Sequence, residues 1–229
     1  AVDDDRLARN PATGARIPKV ERSPLVPMTA DDVRLLAHHV PEHVRAAVLL
    51  GAGTGLRQGE AFGLTIDRVD FLNRKLRLDR QLWTPKVGPA YFAPPKSRNS
   101  YRAIALSQIV VEGLSAHLAT FGTGEHGLLF HIDGRPVVRA MVGKYVRTAA
   151  RAHPSLTGRT WHDLRHHHAS VLLSAGVSPA LVAERLGHDV ATLLKTYAHV
   201  IRQDEDRVRS IVDDTLGGTA EDFLRTEAR

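Results

Sequence analysis

The sequence predicts a mainly α-helical chain with a small antiparallel β-sheet inserted near its front, an α+β arrangement. Three observations predict it. From Ser107 onward apolar residues recur at helical spacing. Between Val69 and Leu106, short runs alternate apolar and polar residues and are separated by Gly, Pro, Ser and Asn. Ahead of both, Thr29 followed by Asp31 and Asp32 is the signature of a helix start, a capping side chain before an acidic first turn.

Residues 1–28 read as a connector: Ala1 to Asn10 is charged and could finish a helix, and Pro11, Pro18, Pro24 and Pro27 then interrupt any regular pattern. After Thr29, an apolar stripe of Val33, Leu35, Leu36 and Val40 defines a first helix. Pro41 opens a second, with Val44, Ala47, Val48 and Leu49 facing inward, and it is expected to end in the run Gly51-Ala-Gly-Thr-Gly55. A short helix from Arg57 to Leu64 precedes Val69-Asp-Phe and Lys75-Leu-Arg-Leu-Asp, which read as a hairpin. Tyr91-Phe-Ala and Tyr101-Arg-Ala-Ile-Ala-Leu106 read as two more strands around a turn rich in Pro, Ser and Asn. Helices are then expected over 107–120, 139–152, 162–175, 178–186, 190–197 and 203–215, with no internal repeat and no low-complexity tract.

With 229 residues, one large domain or two small ones can bury a substantial core. No run approaches the ~20 apolar residues of a membrane span, and no charged n-region precedes an apolar stretch as in a signal peptide. The absence of cysteine excludes disulfides and thiolate metal sites and fits a reducing interior. Thirty-one basic residues against 25 acidic ones leave a formal charge of +6, and the pI near 10.0 favours a polyanionic partner. The opening at Ala1 reads as a fragment or a processed product.

Six residues then stand in an order that one reaction needs: Arg57, Lys96, His162, Arg165, His188 and Tyr197. Arg57 sits in Thr54-Gly-Leu-Arg-Gln-Gly-Glu60, where glycines permit a close turn and Glu60 can orient the guanidinium; a surface Arg–Glu pair is the plain alternative. Lys96, in Pro94-Pro-Lys-Ser-Arg-Asn-Ser-Tyr-Arg102, is placed on a basic turn between expected strands. A hairpin-tip ammonium can enter a DNA groove beside a leaving oxygen, although solvated turn lysines are common. His162 and Arg165 share one face at the start of a helix, whose N-terminus favours phosphate. His162 and His166 have the spacing of a zinc helix, but Asp163 stands where a metalloprotease has Glu; packing or surface roles suit His166 to His168 better. His188 follows the turn at Gly187, and Tyr197 lies on a helix where a tyrosine is ordinarily core.

Together these segments resemble the catalytic domain of the tyrosine recombinases, the phage-integrase family. The matching stretches are Thr-Gly-Leu-Arg-x-Gly-Glu, the lysine turn before Ser-x-Arg, His-Asp-Leu-Arg-His with Ala169-Ser170, Leu-Gly-His, and Thr-Tyr-x-His, between about Thr29 and Val200. One departure is Leu193-Leu-Lys, where a Thr-Thr pair is frequent in the family. The resemblance implies a tyrosine-recombinase catalytic-domain fold over residues 29–200. Residues 1–28 would be the linker from a separate core-binding domain, and 201–229 a C-terminal helix or tail for protomer–protomer contact.

By the same resemblance Tyr197 attacks a DNA phosphodiester, leaving a 3′-phosphotyrosine and a 5′-hydroxyl. Arg57, Arg165 and His188 hold the non-bridging oxygens, Lys96 protonates the leaving oxygen, and His162 accepts the phenolic proton. No cofactor or metal is needed. The implied partners are double-stranded DNA attachment sites and a homotetramer formed on synapsed DNA from monomers in solution. Accessory DNA-bending or directionality proteins are implied too, and no membrane. The setting would be the cytoplasm of a bacterial host, at the nucleoid, and the outcome integration or excision of a phage or mobile element. Arg98, Arg102, Arg139, Lys144 and Arg147 are candidate DNA-backbone contacts, with ordinary solvated surface as the alternative. Other readings of the same residues are a type IB topoisomerase, a helix-turn-helix regulator using residues 176–197, and a metal hydrolase on His162 and His166.

Overall fold

A computed structural model describes residues 26–85, 87–95, 97–198 and 205–217. Helix α1 (Ala30–His39) starts where the sequence places it: the Thr29 hydroxyl accepts from the Asp32 backbone N–H at 3.1 Å while the Asp32 carboxylate accepts from the Thr29 N–H at 2.8 Å. Helix α2 (Glu42–Thr54) ends within its glycine run as expected, passing through Gly51 and Gly53 to Gly55, whose φ of 69° terminates it. Those glycines are a packing requirement. A Cβ on Gly53 would lie 2.4 Å from Val110, and one on Gly51 3.0 Å from both Trp161 and Leu164.

Helix α3 (Gln58–Phe62) follows at once. Strands β1 (Val69–Asp70) and β2 (Lys75–Leu78) form the expected hairpin, with Val69 opposite Leu76. A second hairpin then intervenes, β3 (Gln81–Trp83) with β4 (Tyr91–Ala93), before β5 (Arg102–Ala105) returns to pair with β2. Helix α4 (Gln108–Phe121) and a tiny hairpin, β6 (His131–Ile132) with β7 (Arg135–Pro136), complete this half. The single sheet expected from sequence is thus three small antiparallel ones among the described residues, and β4 pairs with β3 rather than with β5. The reason is geometric: the 3₁₀ turn over Arg98–Ser100 carries the chain from one sheet to the other instead of folding it back.

The remaining helices lie within one or two residues of their expected spans: α5 (Arg139–Ala152), α6 (Trp161–Ser174), α7 (Pro179–Leu186), α8 (Val190–Tyr197) and α9 (Glu205–Leu216). A large core gathers Leu36, Val48, Leu50, Phe62, Ile104, Leu114, Phe130, Val142 and the start of α6. A smaller one joins α6, α7 and α8 through Ala169, Leu173, Val182, Leu186, Leu193 and Tyr197. Helix α6 is therefore shared, its first half fixed in the large core and its second half supporting the small one. Full burial of each Leu stabilises by roughly 1.5–3 kcal/mol, so both halves of α6 are firmly held. On α9, Val208, Ile211, Val212 and Leu216 are exposed. Among the described residues no helix is long and apolar enough to cross a membrane.

Candidate active site

Where α2 ends, Leu56 is buried and Arg57 emerges as the cap of α3. Its guanidinium donates to Glu60 Oε1 at 2.9 Å, to Ser100 Oγ at 3.3 Å and to the Gly187 carbonyl at 3.2 Å. Glu60 is buried and also accepts the Arg57 backbone N–H at 2.9 Å. Arg102 grips the same carboxylate from the far side, with both Nη atoms at 3.2 and 3.0 Å. Burial pushes the Glu60 carboxyl up, but hydrogen bonds and charge from Arg102, joined by the charge of Arg57, outweigh it and hold the group below its ordinary range. Arg102, expected to reach DNA, instead turns inward: its Nε donates to the Arg185 carbonyl at 2.7 Å and its side chain is 5% exposed. A buried carboxylate between two guanidiniums draws both toward itself, which explains the difference.

Helix α6 begins with a second capping box, between Thr160 and Asp163. One turn in, Arg165 is completely buried and donates to the carbonyls of Gly55 at 2.7 Å and Leu186 at 2.6 Å, while its buried Nε has no partner among the described residues. Burial and then repulsion from Arg57 pull its guanidinium down to about 9, still cationic at neutral pH. Gly187, at φ 65°, turns the chain so that His188 follows it into the site. A side chain at Gly187 would meet the Asn99 carbonyl at 2.9 Å. The half-buried His188 has a buried Nδ1 with no partner among the described residues, and burial together with Arg165 and Arg57 pulls its imidazole down to about 4.

Tyr197, the last residue of α8, is 1% exposed and faces α6. Among the described residues its hydroxyl pairs with His166 Nδ1 at 2.7 Å, not with His162. The His162 ring instead stands edge-on to His166, with centroids 4.7 Å apart. Although His162 keeps an exposed edge, desolvation, with repulsion from His166 and Arg165, pulls it down to about 4. Burial pushes the Tyr197 phenol up to about 12 against the pull of Arg165, and lowers His166. The neighbouring histidines separate: His167 bonds the Met28 carbonyl at 2.8 Å, and buried His168 bonds the Ala52 carbonyl at 3.0 Å and accepts from Arg185 Nε at 3.2 Å. Among the described residues, no three His, Cys, Asp or Glu side chains gather as a metal site requires.

Arg57, His162, Arg165, His188 and Tyr197 thus lie in one neighbourhood, whereas Lys96 lies outside the described residues. Its successor Ser97 bonds Ser100, the residue that accepts from Arg57, with the two Oγ atoms 3.0 Å apart. Arg98, Arg139, Lys144 and Arg147 are exposed, and Gln58 donates to the Arg139 carbonyl at 3.1 Å, tying the start of α5 beside α3. Sequence reasoning missed Ser100, Arg185 and the contact of His166. For His166 one signal existed: it stands four residues after His162, on the same helical face.

Comparison with known proteins yields a match to the phage integrase family over residues 27–204. A XerC-like tyrosine recombinase of Caldanaerobacter subterraneus subsp. tengcongensis is 27% identical, over 93% of this chain and 62% of that protein. The integrase of Staphylococcus phage L54a is 28% identical, over 74% of this chain and 52% of that one. The chain therefore spans about half to three-fifths of these curated relatives. Among solved structures, the Tn1549 transposon integrase in complex with transposon right end DNA superposes with a TM-score of 0.72 at 22% identity, covering 94% of this chain and 74% of that one.

Proposed function

Because the chain belongs to the phage integrase family, we propose that it is the catalytic part of a site-specific recombinase that cuts and rejoins DNA through a 3′-phosphotyrosine on Tyr197. The observation that carries this reading is the convergence of Arg57, Arg165 and His188 beside a buried tyrosine hydroxyl, all within one set of linked carbonyls. Phosphoryl transfer asks mainly for positioning and charge stabilisation, and these groups supply both. Arg57 and Arg165 are fixed cations with planar forks suited to two phosphate oxygens. His188 adds a donor through Nδ1. It rests neutral because burial, and then the cations around it, disfavour its charged form; an arriving phosphate offsets that repulsion and favours the imidazolium.

Lys96 protonates the departing 5′ oxygen. The phosphotyrosine keeps the energy of the broken ester, so resealing needs neither ATP nor a metal ion. Residues 29–200 form the catalytic unit, residues 1–28 the linker to a core-binding domain, and α9 an arm that couples protomers of a DNA-bound tetramer. The partners are double-stranded attachment sites in a bacterial host, with accessory DNA-bending proteins; the Tn1549 integrase, solved on DNA, supports that partner class.

The test is a nicked suicide duplex, drawn from tiles across the DNA flanking this chain's own gene. The wild-type chain traps a covalent adduct, Tyr197→Phe traps none, and EDTA changes nothing. An adduct in the Phe variant, or none with the wild type, rejects the reading.

A further inference from the structure

We propose that His166, rather than His162, is the group that holds the nucleophilic hydroxyl and takes its proton. This rests on the recombinase reading of Tyr197 and deepens it. Three geometric facts carry it. The Tyr197 oxygen and His166 Nδ1 are 2.7 Å apart, a distance at which a proton passes directly between them. The tyrosine is 1% exposed, so bulk water does not compete for that proton. His162 contacts the pair only through its ring, 4.7 Å from that of His166, which makes it a neighbour of the base.

The chemistry closes without further reactants. Neutral His166 carries its proton on Nε2 and accepts the phenolic O–H at Nδ1. As the tyrosine oxygen bonds to phosphorus, its proton moves to Nδ1. The bond from phosphorus to the 5′ oxygen breaks, and that oxygen leaves with a proton from Lys96. On rejoining, the incoming 5′-hydroxyl gives its proton back toward Lys96, and the imidazolium of His166 returns its own to the departing phenolate. The groups facing His166 are His162, Asp163 and Arg165 from its own helix and Tyr197 from α8. Burial and Arg165 keep it neutral against the pull of Asp163, as an acceptor must be. The DNA phosphate adds a negative charge that strengthens its basicity when transfer is due.

Two arms test the proposal. Without DNA, imidazole nitrogen NMR of the wild-type chain shows His166 Nδ1 unprotonated and hydrogen-bonded, and that signal shifts in Tyr197→Phe; a protonated Nδ1 overturns the proposal. With the nicked duplexes described above, single-turnover cleavage is followed across pH for wild type, His166→Ala and His166→Asn.

Both variants lose about 10²- to 10⁴-fold at neutral pH, the usual worth of a positioned base. Their rates climb with pH as the phenol ionises unaided, while duplex affinity is unchanged. Cleavage by His166→Ala near or above the wild-type rate overturns the proposal and marks the contact as a latch instead. Full activity in His166→Asn, which can accept a hydrogen bond but not keep a proton, overturns it too. If His166→Ala melts at the assay temperature, His166→Asn and the NMR arm decide. Failure of the parent reading is separate, since it shows as an adduct in Tyr197→Phe.

Discussion

Replacing Glu60 with Gln tests the cation clamp most directly. The carboxylate accepts four hydrogen bonds: from the Arg57 backbone and side chain at 2.9 Å each, and from two nitrogens of Arg102 at 3.2 and 3.0 Å. Glutamine keeps the shape but presents an amide N–H to one guanidinium and removes the only negative charge between two positive ones. The Arg102 side chain, 5% exposed, cannot recover its solvation by moving to water. The Arg57 side chain, 26% exposed, recovers part of it and therefore counts for less. Breaking a buried pair by removing one partner costs about 3–5 kcal/mol, and the Arg57 discount puts Glu60→Gln near the lower end, about 3 kcal/mol.

For a chain of this size that lowers Tm by about 6–12 °C. The sign of the pH dependence follows from the depressed folded pKa of Glu60. Its stabilisation is present above the unfolded carboxyl value near 4.5 and is lost as pH falls through the lower folded value, so the wild-type advantage narrows only in acid. Differential scanning calorimetry at pH 7 and in acid measures both effects. A melting point within about 2 °C of wild type at pH 7 would refute the assignment of Glu60 as the anchor of both arginines.

Gly187→Ala forces an alanine to φ 65° with its Cβ 2.9 Å from the Asn99 carbonyl. It should lose about 1–3 kcal/mol in thermal melts and, because His188 and the acceptor of Arg57 move together, lower adduct formation more than tenfold. Acid should destabilise the chain between about pH 6.5 and 4. His162, His168 and His188 all sit near 4, so the unfolded chain binds more protons there and stability rises with pH. Buried His168 alone accounts for about 3 kcal/mol of that slope; titration by urea melts reads it, and His168→Asn should flatten the curve. Duplex binding measured against salt should weaken steeply, and Lys144→Ala or Arg147→Ala should each reduce the logarithmic slope by about one if they touch phosphates.

The helices were legible because amphipathic spacing and capping residues agree locally: Thr29 and Pro41 mark starts that the structure keeps. The strands were less so. Segments of two or three residues such as β3 and β6 carry too little alternation to stand out, and the 3₁₀ turn at Arg98 separates β4 from β5. The glycine run marked the end of α2, at Gly55; Gly51 and Gly53 stay helical despite poor propensity because close helix packing leaves no room for a side chain there. At the site, residues with distinctive chemistry announced themselves by type and order. Partners defined only by the fold did not: Arg102 meets Glu60 across 42 positions, and His166 meets Tyr197 across 31. Both acceptors of Arg165 and one of those of Arg57 are backbone carbonyls, which no side-chain identity betrays.

Those carbonyls have a consequence for how such a chain tolerates change. Gly55, Leu186 and Gly187 are the final oxygens of α2 and α7, the ends that carry partial negative charge. Two helices thus serve as rulers whose tips set where the guanidiniums rest. Inserting a single residue into α7 would advance its tip by about 1.5 Å and swing it through about 100°, aiming those oxygens elsewhere. By this geometry a surface loop could change length without moving those oxygens, whereas the residue counts of α2 and α7 are held to the reach of an arginine.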